Sequence, residues 1–268
     1  MAWKTPADFR AAVSAGAFVS TTTGICPGYA QANLIILSKD IAGDFAAFAR
    51  LNPKPCPVLE EIPVGVHHSS YLAPGDDILT TIPRYRIYRH GVFTDEVTDA
   101  TPFWRDDMVS FLIGCSFSFE EALLQAGLPV RHMEMGCIVP MYRSNIPTKA
   151  AGVFSGPVVV SMRPMTPDQA KQAAAITARF PGVHGDPLHI GDPQAIGIHD
   201  INKPDYGDPV EFCQGEVPVF WACGVTPQAA VNQAKPEIAI SHAPGHMLVT
   251  DILNSSLIGW LPQDTGGA

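Results

Sequence analysis

Two cysteines in this chain stand at matched addresses. Cys115 follows an apolar run in LIGCSFSFEEAL, and Cys223 follows another in VFWACGVTPQAA. Cys115 precedes Ser118, Ala122, Gln125 and Ala126 by the same intervals at which Cys223 precedes Thr226, Ala230, Gln233 and Ala234. Ser118 and Thr226 are N-cap residue types. Glu121 stands at the capping-box position after Ser118, and Pro227 follows Thr226. A thiol between a strand end and a helix start faces the helix's positive end, where N–H groups and the macrodipole stabilise thiolates and bind anions. In open α/β sheets that edge is also where ligands sit. A free cysteine is equally at home as a small core hydrophobe. The same placement twice weighs for chemistry against packing.

Two loops concentrate histidine and aspartate. HGDPLHIGDP holds His184 and His189, five apart, with Asp192 beyond them. Gly185, Pro187 and Gly191 rule out a regular helix there, so the HExxH zinc pattern is absent, although a loop could still gather His184, His189 and Asp192 around a metal. HAPGHMLVTD places His242 and His246 four apart around Pro244-Gly245, suited to acid/base work near neutral pH. Turn histidines and aspartates also simply hydrogen-bond loop backbone. Arg143 and Asn145 fall in an expected turn, MYRSNIP, while Ser161 and Arg163 leave the strand VVVSMRP. A guanidinium fork suits a substrate carboxylate, though arginines at strand ends also form surface ion pairs of little weight. There is no GxGxxG after a strand, no P-loop and no GxSxG elbow, so no nucleotide cofactor is expected, nor any resident metal.

The elements that must position these groups follow from pattern. Thr5-Pro6 caps a helix to about Phe18, and a Gly/Pro turn leads into the apolar stretch ANLIIL. A helix over Asp40 to Arg50 puts Phe45 and Phe48 on one face. NPKPCPVLEEIP must run extended, and RYRIYRHGVF reads as a hairpin through His90-Gly91. Strands are expected over Met108 to Gly114, Gly156 to Met162 and EVPVFWACG. Helices are expected over Phe119 to Ala126, Thr166-Pro167 to about Arg179, and TPQAAVNQA. The span from Pro181 to Pro209 is a loop zone, and ISHAPGHMLVTDI is strand–turn–strand or strand–turn–helix. Such alternation favours an α/β layered fold. The chain has 268 residues, 46% hydrophobic and 16% charged, enough for a sizeable core. Its net charge of −9 with no Lys/Arg cluster argues against nucleic acid or an anionic membrane. Six cysteines without a CxxC read as reduced thiols. AAVSAGAFV is too short and too broken for a secretory core, and no apolar run could span a bilayer, so a cytoplasmic protein is expected.

The segments GICPGYAQANLIIL, NPKPCPVLE, PRYRIYR, LIGCSFSFEEAL, VPMYRSNIP, VVVSMRP, VHGDPLHIGDP, VFWACGVTPQAA and HAPGHMLVTD, in this order, resemble the bacterial DUF1445 (UPF0317) hydro-lyases, which are related to the D-glutamate cyclases. The resemblance implies a three-layer α/β/α main domain carrying a smaller two-layer α/β domain. The boundaries are expected at 1–145 with 207–268 for the first and 146–206 for the second. It also implies loss of water from a small acid, with closure of D-glutamate to 5-oxo-D-proline as the related activity. Eukaryotic relatives carry a further C-terminal region that this chain lacks. No catalytic residue comes with the resemblance, so roles are assigned from the chemistry above. His242 or His246 would take the ammonium proton, and N–H groups after Cys115 or Cys223 would hold the oxyanion. Glu120 or a histidine would protonate the leaving oxygen. Arg143 and Arg163 would hold the carboxylates with Asn145, Ser161, Ser118 and Thr226 nearby. Thioester formation at Cys115 ranks lower, because a carboxylate is a poor electrophile. The alternatives are a metal-dependent lyase or hydrolase at His184, His189 and Asp192, or a non-catalytic binder of an acidic metabolite. The expected partner is a small acidic molecule, and the sequence leaves room for a homo-oligomer.

Overall fold

A computed structural model describes residues 3–260 of the chain. It is a mixed α/β fold built on two antiparallel sheets. Thr5 caps α1 (Pro6–Ser14), its hydroxyl accepting from the Asp8 N–H at 3.1 Å. The central strand β1 (Tyr29–Ser38) runs into α2 (Lys39–Leu51), and β2 (Val58–Ile62) follows. The expected hairpin is formed by β3 (Tyr85–Arg89) and β4 (Val92–Val97), with both turn residues at positive φ, His90 at 51° and Gly91 at 77°. Next come β5 (Met108–Gly114), α3 (Phe117–Gln125) and α4 (Arg131–Met135). A second sheet takes β6 (Met141–Pro147), β7 (Pro157–Met165), β8 (His189–Ile190) and β9 (Val217–Ala222), with α5 (Pro167–Thr177) behind a complete capping box of Thr166 and Gln169. The chain closes with α6 (Thr226–Ala234), β10 (Ala239–His242) and β11 (Leu248–Leu253).

The seven-stranded sheet runs β2-β5-β1-β10-β3-β4, with β11 also on β1. One side of β1 is therefore shared by two short strands, β11 beside Gln31 and Ala32 and β10 beside Ile35 to Leu37. The alternation of β1 divides the core. Ile35 and Leu37 face Phe45 and Phe48 of α2, while Leu34 and Ile36 face a cluster holding Phe119 and Leu123 of α3. That cluster continues into the four-stranded sheet, β6-β7-β9-β8, through Val219 and Trp221. The loop zone after α5 lies over the outer face of that sheet, where Ile196, Ile198 and Val210 cover Val160, Met162 and Phe220.

Local differences from the sequence expectation have simple causes. MYRSNIP is a strand, β6, paired to β7 with an irregularity between Arg143 and Pro147, so Arg143 and Asn145 are not in a turn. Strand β7 continues through Met165 despite Pro164. Pro164 lies beyond the reach of β6 and opposite Pro218, and Arg163 is thus inside the sheet rather than leaving it. Helix α3 starts at Phe117, two residues before the expected start, which puts Ser118 inside the first turn instead of at the cap. Val225, not Thr226, precedes α6.

Candidate active site

The two cysteine turns are built alike. In each, the residue three after the cysteine donates its N–H to the cysteine carbonyl: Ser118 to Cys115 at 3.1 Å and Thr226 to Cys223 at 3.0 Å. In each, the N–H two residues on, of Phe117 or Val225, reaches the thiol. Two strand–Cys–helix units from different sheets thus present helix N-termini to one small pocket. Its walls hold Cys115, Ser116 and Phe117 on one side and Cys223, Gly224 and Val225 on the other, with Asn33 and His242 between them and apolar Ile138, Val139, Met141 and Met247 around. Among the described residues, the Ser116 and Gly224 N–H groups meet no backbone acceptor.

Electrostatics then sort the candidate groups. Burial pushes the Cys115 thiol up to about 12, against the Phe117 N–H, and the Cys223 thiol up to about 11, against the Val225 N–H. Both stay protonated near neutral pH, and Cys223 donates to the Met141 sulfur at 3.5 Å. His242 is the last residue of β10, just past that strand's pairing with β1, and its Nδ1 lies 3.1 Å from the Leu34 N–H. The same Nδ1 lies 3.3 Å from the Leu34 carbonyl, so Leu34 can serve it as donor or acceptor according to the ring tautomer. Burial lowers His242 to about 4. Its ring is neutral near neutral pH, and so low a value makes it a weak base for the ammonium proton that the sequence reading gave to His242 or His246. His246 is half-buried and lowered chiefly by burial, with Nδ1 on the Pro244 carbonyl at 2.9 Å.

Behind the pocket lies a buried ion cluster that the sequence reading distributed among separate roles. Arg163, fully buried, donates from Nε to Glu120 Oε1 at 3.0 Å, from Nη1 to Ser161 Oγ at 3.1 Å and from Nη2 to Ser116 Oγ at 3.0 Å. A second guanidinium nitrogen also contacts the Glu120 carboxylate, and His132 Nε2 lies 3.4 Å from it. The guanidinium stacks over Phe119 and Trp221 at 5.3 Å each. Burial alone would raise Glu120, but His132 and Arg163 outweigh it and hold the carboxyl down to about 2. Glu120 is therefore ionised and committed, not a proton donor. Arg163 is likewise spent on Glu120 and the two serines, not free for a substrate carboxylate. Its reach to Ser116 makes it a support for one helix mouth.

Other expected site residues lie elsewhere. Thr226 is fully buried, and its hydroxyl bridges the Val159 N–H and C=O, tying α6 to β7. Ser118 is buried with its Oγ unpaired, away from this pocket's walls. Arg143 is exposed and held by the Tyr206 hydroxyl at 2.8 Å, and Asn145 is exposed near the Ala195 carbonyl. His184 is buried on the Lys54 carbonyl, His189 bonds the Asp192 carbonyl, and the Asp192 side chain caps a 3₁₀ turn. These three form no ligand cluster among the described residues. Asn33 and Gly224 were missed. The amide of Asn33 donates to the Gly114 carbonyl at 2.9 Å, and Gly224 packs so closely on it that a Cβ there would lie 2.2 Å from Nδ2. A lone amide inside the apolar run ANLIIL was the available signal.

The comparisons agree on one family. A model described as D-glutamate cyclase matches residues 109–251, which contain both cysteine turns, Arg163 and His242. A protein of Stutzerimonas stutzeri (strain A1501) named "Putative hydro-lyase" is 56% identical over 94% of this chain and 95% of its own. "Putative hydro-lyase YcsI" of Bacillus subtilis (strain 168) is 56% identical over 94% of this chain and 98% of its own. "Putative hydro-lyase cu1581" of Corynebacterium urealyticum is 59% identical over 92% and 93%. A solved structure titled as a nitrogen repressor-like protein from Methanococcus jannaschii aligns over 88% of this chain at 11% identity and a TM-score of 0.37, too distant to bear on the fold. With the family model covering more than half the chain and such relatives nearly all of it, the chain belongs to the D-glutamate cyclase family, among relatives named as hydro-lyases.

Proposed function

We propose that the pocket between the two cysteine turns binds a small amino dicarboxylic acid and eliminates water from it, with D-glutamate closing to 5-oxo-D-proline as the reaction. The observation that carries this reading is the convergence of two helix N-termini and a neutral His242 on one mostly apolar pocket. Helix mouths with unpaired N–H groups hold carboxylates without a full positive charge. Seating both carboxyl groups, one at each mouth, favours the folded conformer in which the α-amine reaches the side-chain carboxyl carbon.

In that conformer the amine adds to the carboxyl carbon, the C–N bond forms, and the oxyanion is stabilised by N–H donors at Ser116 or Gly224. The neutral His242 ring hydrogen-bonds the departing oxygen, which leaves as hydroxide carrying the one proton that nitrogen releases on closure and becomes water by taking a proton from solvent. No wall residue carries a negative charge near neutral pH, so nothing in the pocket stabilises an ammonium and the substrate enters productively as the neutral amine. The rate therefore rises with pH on the alkaline side. The direct test is a panel of D- and L-amino and hydroxy acids incubated with the purified protein and read by mass spectrometry for loss of one water. D-glutamate is expected to score, and a panel with no dehydrated product at any pH from 6 to 9 would overturn the reading.

A further inference from the structure

Far from this pocket, the long connection between β2 and β3 gathers His67, His68 and Asp77. One ligand-capable atom from each lies within 4.8 Å of the other two. We propose that these three side chains form a binding site for a divalent transition-metal ion of the zinc type, which staples this connection to itself.

The backbone brings them together by design of the turn. His68 and Asp77 face each other across an antiparallel bridge, flanked by bonds from the Ser69 N–H to the Asp76 carbonyl at 3.1 Å and from the Ile78 N–H to the His67 carbonyl at 2.9 Å. Gly75, at φ 85°, turns the chain between them. The loop is fixed from below by Glu60 of β2. Its carboxylate accepts from Ser69 Oγ at 2.7 Å and from the N–H groups of Ser70, Tyr71 and Leu72 at 2.6, 3.1 and 2.9 Å. Such anchoring holds the ligands in place before any ion arrives, so little ordering opposes binding.

The side-chain geometry points the same way. His67 Nδ1 is shielded from solvent and lies 3.0 Å from Asp77 Oδ1, yet the two are not in hydrogen-bonding geometry, and the nitrogen has no partner. Two ligands of a tetrahedral centre with bonds of ~2.0–2.1 Å stand about 3.3 Å apart, close together without bonding each other. The Leu79 N–H donates to Asp77 Oδ1 at 2.9 Å, the kind of outer contact that orients a ligating carboxylate. Trp104 meets His67 edge-on at 5.6 Å and supplies an apolar wall. The neighbouring Asp76 is already taken by Arg10 at 2.6 Å, which leaves Asp77 without a guanidinium partner. Two imidazoles and one carboxylate suit zinc, with water completing four-coordination.

The site is separate from the proposed chemistry. The Gly65 N–H donates to the Met108 carbonyl at the start of β5, whereas Cys115 follows its end, about 20 Å away along the strand. Failure of the metal proposal thus leaves the pocket reading intact, and the reverse also holds.

Cobalt(II) is the probe, added to chelator-treated full-length protein. Expected is saturable binding of one equivalent with the intense visible bands of four-coordinate cobalt. Sulfur-to-cobalt charge transfer in the near ultraviolet should be absent, which sets the site apart from exposed Cys213. Zinc should displace the cobalt. His67→Ala and Asp77→Asn should each weaken binding at least tenfold. His68→Ala, at an exposed position, gives the same reading if either of the others fails to fold. No saturable binding to the wild-type protein, affinity unchanged in the folded variants, or a sulfur charge-transfer band at saturation overturns the proposal.

Discussion

At the scale of single residues, burial assigns the roles. Cys115 and Cys223 occupy addresses that would stabilise a thiolate, yet desolvation outweighs the helix ends and leaves both as thiols. Cys115→Ala is accordingly expected to keep turnover within about tenfold of wild type while costing ~1–3 kcal/mol of stability for the lost side chain. A loss of a thousandfold or more in kcat would mean that the sulfur itself reacts. Glu120 and Arg163 behave oppositely, since their charges are buried but satisfied by each other and by Ser116 and Ser161. Glu120→Gln leaves an uncompensated guanidinium and should cost about 3–5 kcal/mol in denaturant unfolding. The double variant Glu120→Gln with Arg163→Met should lose clearly less than the sum of the two single changes. Additive losses would show that the two side chains are not coupled.

At the scale of elements, the repeated spacing after Cys115 and Cys223 was legible, and both turns close with the same hydrogen bonds. The hairpin at His90-Gly91 and the helix cap at Thr166-Pro167 were legible for the same reason: short-range chemistry fixes them. What the sequence hid was set by distant partners. Pro147 and the polar Ser144 and Asn145 disguise β6 as a turn, and only its pairing with β7 makes it a strand. Arg163 reads as a surface cation until Glu120, forty-three residues away, is folded onto it. Gly224 is a further case, because its need for no side chain comes from Asn33 on the other sheet. Gly224→Ala should push the Asn33 amide off the Gly114 carbonyl and narrow the pocket at one helix mouth. The expected result is at least a tenfold fall in kcat/KM with native circular dichroism, measured on whichever acid the panel identifies. Unchanged kinetics would place the substrate elsewhere.

At the scale of the whole molecule, the two sheets share one apolar cluster and lean on several buried titratable groups, so acid should unfold them together. His184 and His242 are both lowered from 6.5 to about 4, chiefly by burial, and stay neutral in the native state. Between those values the unfolded chain takes up protons that the native chain refuses, and stability falls as pH drops from 6.5 towards 4. Each histidine can account for roughly 3 kcal/mol across that window. Glu120, held near 2 against an ordinary 4.5, extends the loss from pH 4.5 downwards, because its ionised form is stabilised only in the fold. Melting temperature is therefore expected to decline from pH 6.5 onwards, well above the carboxylate range. His184 offers a clean check. It sits at φ 85°, a conformation asparagine tolerates, and an amide there can also donate to the Lys54 carbonyl. His184→Asn should leave the melting temperature at pH 7.5 nearly unchanged and flatten its slope between pH 6.5 and 4. An unaltered slope would remove His184 as a source of acid lability, leaving the window to His242, whose buried Nδ1 lies against the Leu34 backbone in the pocket wall.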